Sequence, residues 1–565
     1  MRTLPSSFAL FFLVLCCPAY AQEGGKAITL LRFEGGGPFE RVGEAVALIG
    51  DINGDGTPDL LVGAEFANSS GFTRNGFVYA YSGSTGVLLH QFHGTASHQN
   101  FGGEVASAGD IDSDGFDDIL IGSPEADPAS VDGAGMIDIF SGAGGPLVNL
   151  LHIDGTVDSG YFGSSIATCG DIDADGTPDF LVGEPGYNNG AGRVQLYSGS
   201  SGTVLQTIDG LPGDFCGLSV SAAGDVDADG TTDFLVGSPF ASSPGFQANG
   251  QATLYSGVNG NILLQLNGSQ DNMEFGASVS GGFDVNDDGT MDFMVGAPRA
   301  TSPTGVSDAG AAMVYSGATG LVLHQVYGVA FADNFGKSCA LTGDVNGDRF
   351  GDFVLGVGLL DIGGLQDVGS ALVFSGFDTS LLFRADGENA QDNTGRVVAS
   401  GRDIDGDGLN EILYGAPLAD PLGNTLAGLA EVKRLVPILT ATTSDISSSL
   451  GGVIDFHMNF PLSEANFGYM LLASFSGLGP TSAFGISIPL TNDSLLALMH
   501  AGGGSLFSNS TGSLDASGNA SAQLNMPAGT ASGLIGTTFY FAAVSLSGTT
   551  SPRVPSNAIT LLLEP

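Results

Sequence analysis

One arrangement of residues recurs along this chain at a near-constant interval, and it limits the fold more than any other feature. It first appears as Asp51, Asn53, Asp55 and Asp59, with Gly56 after the third oxygen-bearing side chain and an apolar run, Leu60-Leu61-Val62, behind it. The pattern begins again at Asp110, Asp171, Asp225, Asp284, Asp344 and Asp403, so successive starts lie 54 to 61 residues apart. A unit of that length is too small to bury its own core, so tandem copies must stack as a solenoid, a propeller or an array.

Alignment on the first Asp exposes the whole unit. A glycine always stands eight residues before it: Gly43, Gly102, Gly163, Gly217, Gly276, Gly336 and Gly395. Phe101, Phe162, Phe275 and Phe335 precede that glycine in four copies, and Val42, Cys216 and Thr394 in the others. A short alternating strand leads into the loop. A second strand leaves it and ends in Gly-Ala-Pro or a near variant such as Gly122-Ser123-Pro124. A third strand ends in Tyr-Ser-Gly or Phe-Ser-Gly (Tyr81, Phe140, Tyr197, Tyr255, Tyr315, Phe374), and a turn then opens a fourth strand such as Val87 to Phe92. Four short antiparallel strands per unit is the content of a propeller blade.

The two ends of the repeat region discriminate between a ring and an open stack. Residues Ala27 to Glu34 resemble the fourth strand of other copies, whereas the seventh copy stops after its third strand, at Ala430 to Leu435. The surplus at one end matches the deficit at the other. The sequence therefore predicts an all-β, seven-bladed propeller closed by an N-terminal strand, which leaves no exposed sheet edge.

Alternating oxygen donors in a tight, glycine-turned loop suit a hard cation, and Ca²⁺ takes six to eight oxygens at about 2.3–2.6 Å. The candidate ligands are the side chains at loop positions 1, 3, 5 and 9 and the main-chain carbonyl at position 7. By copy these are Asp51, Asn53, Asp55, Thr57 and Asp59; Asp110, Asp112, Asp114, Phe116 and Asp118; Asp171, Asp173, Asp175, Thr177 and Asp179; Asp225, Asp227, Asp229, Thr231 and Asp233; Asp284, Asn286, Asp288, Thr290 and Asp292; Asp344, Asn346, Asp348, Phe350 and Asp352; and Asp403, Asp405, Asp407, Leu409 and Glu411. The competing reading is an Asp/Gly-rich turn that caps its own amides, but carboxylates clustered without a counter-ion repel one another. No helix pattern flanks the loops and no twelfth-position Glu closes them, so an EF-hand is excluded. The expectation is up to seven structural Ca²⁺ ions. The site at Asp344 is the weakest, because Arg349 stands where glycine is expected and brings strain or a competing guanidinium.

These residues resemble the FG-GAP repeats of the integrin alpha-subunit head. The Phe-Gly pair, the Asp-x-Asp/Asn-x-Asp-Gly-x-x-Asp loop, the apolar strand and Gly-Ala-Pro carry the resemblance, from about Lys26 to Val436. It implies metal loops between the first two strands of the blades, on the face away from the ligand. It also implies a ligand face built from the loops between strands two and three, such as Phe66 to Asn75, Glu125 to Ala134, Phe240 to Ala248 and Arg299 to Ala309, together with strand-four-to-one loops such as Thr95 to Asn100. The sequence marks no aromatic or arginine cluster in these loops.

Of 565 residues, 60 are acidic and 15 basic, a formal charge of −45. Such a balance argues against nucleic acid or an anionic membrane as partner. The first 21 residues have the form of an export signal, with Arg2, an apolar Ala9–Cys17 segment and Ala19-Tyr20-Ala21 before Gln22. No later run is long and apolar enough to span a bilayer, so a secreted or surface-held protein is expected. Cys169, Cys216 and Cys339 read as small buried core residues. From Pro437 the repeats stop, and segments such as Val453 to Phe460 and Thr538 to Leu546 read as strands of a sandwich-like domain. The expected organisation is a signal over residues 1–21, the propeller over 22–436 and a C-terminal all-β domain over 437–565.

The seven histidines form no zinc or triad constellation and read as dispersed surface residues. There is no nucleophile elbow, phosphate loop or nucleotide fingerprint. The sequence thus points to a non-catalytic calcium-binding module for adhesion to a protein, matrix or glycan partner. A polysaccharide- or lipid-acting enzyme with a propeller-face site and a structural surface-layer component are the alternatives.

Overall fold

The computed structural model describes residues 26–69, 71–144 and 147–437, and beyond these 439–441, 445–447, 452–460, 468–474, 480–483, 486–489, 507–508, 511–515, 518–526, 538–547 and 551–564. The expected export signal lies outside the described residues. Seven four-stranded antiparallel sheets follow one another along the chain. Blade 1 consists of Ala45–Ile49, Asp59–Ala64, Phe77–Tyr81 and Leu88–His93. The second strands are buried along their whole length in every blade, as in Asp118–Ser123 and Asp233–Ser238. This is why they read as continuous apolar runs rather than alternating ones.

Ring closure follows the predicted exchange. Blade 7 takes Val397–Ser400, Ile412–Ala416 and Leu429–Leu435 from the end of the repeat region and Ala27–Glu34 from its start. The N-terminal strand pairs antiparallel with the third strand, from Ala27 opposite Leu435 to Glu34 opposite Leu429. Arg32 bonds Glu431 at 3.0 Å across this seam, and Glu431 also accepts from the Tyr414 hydroxyl and pairs with Lys433 at 2.9 Å.

Neighbouring blades are stitched by the residue before the recurring glycine. Phe162, Cys216, Phe275, Phe335 and Thr394 each form a parallel bridge to the residue that precedes the third strand of the previous blade. Val42 makes the same bridge to Gly428, across the blade 7–blade 1 junction. All these side chains are at least 97% buried, so the position needs an apolar or small plug rather than phenylalanine itself. Cys169, Cys216 and Cys339 are buried free thiols, with Cys216 taking the plug position.

Past residue 437 the strands form two further sheets and a hairpin. Leu439–Ala441, Gly452–Asn459, Asn519–Met526 and Phe507–Ser508 make one, and Asp445–Ser447, Ser551–Glu564, Thr538–Ser547, Gly468–Ser474 and Thr511–Ser513 the other. Phe456 of the first meets Phe541 of the second at 4.8 Å between ring centres, the contact of two sheets packed face to face.

Candidate metal loops and the opposite loop face

Strands that run alternately up and down place the loops between strands one and two, and three and four, on one face of the ring. The two-to-three and four-to-one loops fall on the other. The Asp loops all occupy the first face, and each is shaped by its own carboxylates. The position 1 Asp caps the turn: Asp51 accepts from the amides of Asn53, Gly54 and Gly56 at 3.0, 2.6 and 2.7 Å. Asp171 does the same for Asp175 and Gly176 at 3.0 and 2.8 Å. The position 5 carboxylate accepts from the position 7 amide, at 2.9 Å for Thr177 and 3.0 Å for Leu409.

The position 9 Asp reaches further than the sequence indicates. In blade 1 one oxygen of Asp59 accepts from Ile52 at 2.9 Å, inside the loop. The other accepts from Gly83 at 2.9 Å, the glycine of Tyr-Ser-Gly. The same double bond recurs at Asp118, Asp179, Asp233, Asp292 and Asp352. The Ser-Gly turn is therefore the second half of a clamp that holds the strand-three-to-four hairpin onto the Asp loop. Its glycine is required for space: a Cβ at Gly83 would lie 2.0 Å from the Pro58 carbonyl oxygen.

These hydrogen bonds are the self-capping turn of the competing reading, and they do not exhaust the carboxylates. In copies with an acidic position 3, ligand atoms of Asp110, Asp112 and Asp118, of Asp171, Asp173 and Asp179, of Asp225, Asp227 and Asp229, and of Asp403, Asp405, Asp407 and Glu411 lie within 4.8 Å of one another. The other three copies carry Asn53, Asn286 or Asn346 at that position. Burial, then the neighbouring loop aspartates, pushes Asp59, Asp118 and Asp292 up to about 6. Two loop oxygens, Oδ1 of Asn346 and Oε1 of Glu411, are buried with no hydrogen-bond partner. Crowded carboxylates with unpaired inward oxygens fit a hard divalent cation.

The Asp344 loop, expected to be the weakest site, is the most enclosed of the seven. Asn346, Asp348 and Asp352 are 5%, 6% and 0% exposed. Burial and the Asp344 charge lift Asp348 to about 7, and burial with the Asp348 and Asp344 charges holds Asp352 well above the ordinary carboxylate. Arg349 does carry the expected strain, with φ of 77° where the other copies have glycine. Its side chain is exposed, and its amide still caps onto Asp344 at 2.8 Å. The guanidinium that enters a loop is instead Arg434, bonded to Asp405 at 2.8 Å and Asp407 at 3.3 Å.

The opposite face gathers what the sequence had left scattered. The exposed aromatic side chains described in the propeller are Phe39, Phe72, Tyr161, Phe215, Phe240, Phe246 and Phe331, and each lies in a two-to-three or four-to-one loop. Phe215 and Phe240 meet edge to face at 5.2 Å. The Phe66 ring is flanked by the guanidinium carbons of Arg41 at 4.1 Å and Arg74 at 4.4 Å. Beside it, Glu44 pairs with Arg396 at 2.9 Å and Asn100 with Glu125 at 2.7 Å. Buried atoms there without a partner are Glu44 Oε2, Arg74 Nε, Asn100 Oδ1 and Ser123 Oγ.

Nor are the histidines merely scattered over the surface. His90 and His324 are half-buried and reach the Gly142 and Gly376 carbonyls of the next blade. His152 lines a cleft of about 560 Å³ between blades 1 and 2. Its two ring nitrogens lie 2.7 Å from Asp138 and 3.0 Å from Asp154, and these partners hold the imidazole above its ordinary value against the opposing effect of burial. With both nitrogens held by carboxylates, the protonated ring is an ion-pair partner and has no lone pair to offer as a base.

Comparison with known proteins agrees with this architecture. Residues 42–81, 101–140, 162–197, 217–255, 275–315 and 394–429 match the FG-GAP repeat. The blade carrying Arg349 lies outside these stretches. The chain is 34% identical to integrin alpha-5 of Xenopus laevis over 205 residues, 34% of this chain and 19% of that protein. It is 35% identical to integrin alpha-6 of Gallus gallus over 159 residues, 27% and 14% of the two. The matches thus span a fifth or less of these relatives' length. Solved structures similar to the chain include the Dos1 propeller, at a TM-score of 0.37 and 11% identity over 67% of this chain and 75% of that one. The exotype rhamnogalacturonan lyase YesX aligns at 0.40 and 14% identity over 72% and 75%.

Proposed function

Because the chain is an FG-GAP repeat protein whose propeller resembles that of integrin alpha chains, we propose that it is a secreted or cell-surface, non-catalytic interaction module. Its ring is stiffened by Ca²⁺ on one face and binds an extracellular protein, matrix or glycan partner with the other. The observation that carries this reading is the placement of every exposed propeller aromatic among the described residues on the loop face opposite the Asp loops. Rigid aromatics and arginines at a partly desolvated site are the usual anchors of recognition. Loops held on a stiff scaffold bind without a large ordering cost.

The side chains at positions 1, 3, 5 and 9 of the loops in blades 1 to 6 would hold Ca²⁺, with the position 7 carbonyl. The ion supplies charge neutralisation to the crowded carboxylates and ties each loop to its hairpin. The His152 ion pairs support the non-catalytic reading, since they leave this cleft-lining histidine no basic nitrogen.

Extracellular matrix proteins and a glycan panel, screened against the full chain with calcium present, test the proposal. Phe215→Ser with Phe240→Ser should weaken any binding at least tenfold while leaving the melting temperature unchanged. Binding that survives this pair and Arg74→Ala, or a hydrolase or lyase activity abolished by Asp138→Asn, would favour the enzymatic alternative.

A further inference from the structure

The blade that closes the ring is built unlike the others, and its differences share one location. By strand register, Lys433, Arg434 and Leu435 stand where blade 1 has Tyr81, Ser82 and Gly83. The third strand of blade 7 does not turn there. It runs straight on beside the N-terminal strand, and the Val436 amide donates to the Lys26 carbonyl at 2.8 Å. The glycine amide that completes the clamp elsewhere is thereby lost. Glu411 keeps the inner bond, from Ile404 to Oε2 at 2.7 Å, but its Oε1 is buried and without a partner in a side chain that is fully buried. In blade 1 the Ser82 hydroxyl lies 3.4 Å from the position 5 carboxylate, Asp55. In blade 7 the Arg434 guanidinium takes over that contact and adds the position 3 carboxylate, Asp405, at 2.8 Å.

We propose that Arg434 is the resident counter-ion of the seventh loop, so that this loop takes no calcium under conditions that fill the other six. The proposal rests on the calcium reading of those six. A guanidinium is always charged and presents several donors in a fixed plane. Held beside Asp405 and Asp407, it occupies two of the oxygens a divalent ion needs and repels that ion. Blades 1 and 3 offer serine hydroxyls there instead, Ser84 to Asp55 and Ser200 to Asp175, and these neutral groups leave room for a cation. The consequence is a division of labour in which calcium braces six blades and the seam between the two ends of the repeat region is held by its own arginine. Ring closure then survives calcium withdrawal.

Calcium bound per chain, counted by equilibrium dialysis and metal analysis, tests this on the full protein and on Arg434→Ser, which restores the hydroxyl of the other blades. The variant is expected to bind one more ion than the native chain. Hydrogen exchange localises the effect: chelation should speed exchange in the other loops but not over 403–411 or 27–34, whereas in Arg434→Ser it should speed both. Equal counts, or native exchange over 403–411 that responds to chelation, overturn the proposal. If neither protein binds calcium, the calcium reading itself fails and the exchange arm alone decides. Faster exchange over 403–411 in calcium-free Arg434→Ser then supports Arg434 as the counter-ion, and unchanged exchange removes it.

Discussion

Gly199 is the position at which the clamp is most open to test, because two simple expectations for an alanine there have opposite signs. Its φ is not in the left-handed region, so Gly199→Ala is conformationally permitted and by unfolded-chain entropy alone would stabilise by about 0.4–1 kcal/mol. The packing says otherwise. An added Cβ falls 1.9 Å from the Pro178 carbonyl oxygen. Relief to a carbon–oxygen contact of ~3.3 Å moves the turn by more than 1 Å. The Gly199 amide now donates to Asp179 Oδ1 at 3.0 Å, and that movement breaks the bond. Losing a hydrogen bond to a charged group costs about 1.5–3 kcal/mol, and a buried oxygen left unpaired about 1–3. The net expectation is a loss of about 2–4 kcal/mol, read as a lower urea midpoint in EGTA, with faster exchange at the Ile172 amide. Gly144→Ala is the control: nothing lies within 4 Å of its Cβ position, and it should fall within about 0.5 kcal/mol of the native chain. A Gly199→Ala protein as stable as the control refutes the clamp.

Three further outcomes follow from the same geometry. In calcium-free protein, burial pushes Asp59, Asp118 and Asp292 up to about 6 and Asp348 up to about 7, all above the ordinary carboxylate. The folded form therefore holds these protons more tightly than the unfolded chain, and its stability falls as pH rises from about 4 through 7. Calcium needs the deprotonated loops, so its effect on the melting temperature should be largest near pH 7.5 and nearly gone by pH 5, and an equal shift at both would count against the metal reading. Arg349→Gly removes a left-handed residue worth about 1–2 kcal/mol of strain at a cost of about 0.4–1 kcal/mol in unfolded-chain freedom. It should raise the urea midpoint modestly, and a lowered midpoint would refute the strain argument. Arg32→Ala strips one cation from Glu431 while Lys433 remains. With Arg32 a third exposed, the expected loss is about 1 kcal/mol, accompanied by faster exchange over 27–34.

The blade count, the strand order and the closing exchange were all legible in the sequence, because they are properties of spacing. Gly43 to Gly395 and Asp51 to Asp403 keep their offsets whatever the residues between them. What escaped were contacts between motifs that the alignment treats as separate. The bond from Gly83 to Asp59 joins residues 24 apart across a hairpin, and only the fold makes the Tyr-Ser-Gly and Asp-loop signatures one device. Arg434 escaped for the same reason. Its importance comes from the third strand running straight on, which brings its side chain to Asp405 and Asp407. Arg349 interrupts the motif in sequence, yet its side chain is exposed and enters no loop. The aromatic face was missed because Phe39 and Phe331 are nearly 300 residues apart, and topology alone puts their loops on the same side.

The contrast between the two faces bears on what calcium would do for a partner it never touches. On the Asp-loop face blades 1 to 6 repeat nearly the same hydrogen bonds, because each loop must hold its own hairpin and any departure loosens a blade. On the other face the loops differ in length and residue. The one between strands two and three spans residues 185–192 in blade 3 and 239–250 in blade 4, and nothing in the ring depends on its tip. Phe215 and Phe240, from loops on the same side of blade 4, keep their edge-to-face geometry only while that blade is rigid. Chelation would therefore weaken partner binding by raising the ordering cost of the loops, with no ion at the interface. The loss should appear as slower association and a smaller binding-competent fraction, while the complex, once formed, dissociates at its usual rate. A partner whose dissociation alone accelerates in EGTA would place a calcium ion in the contact itself.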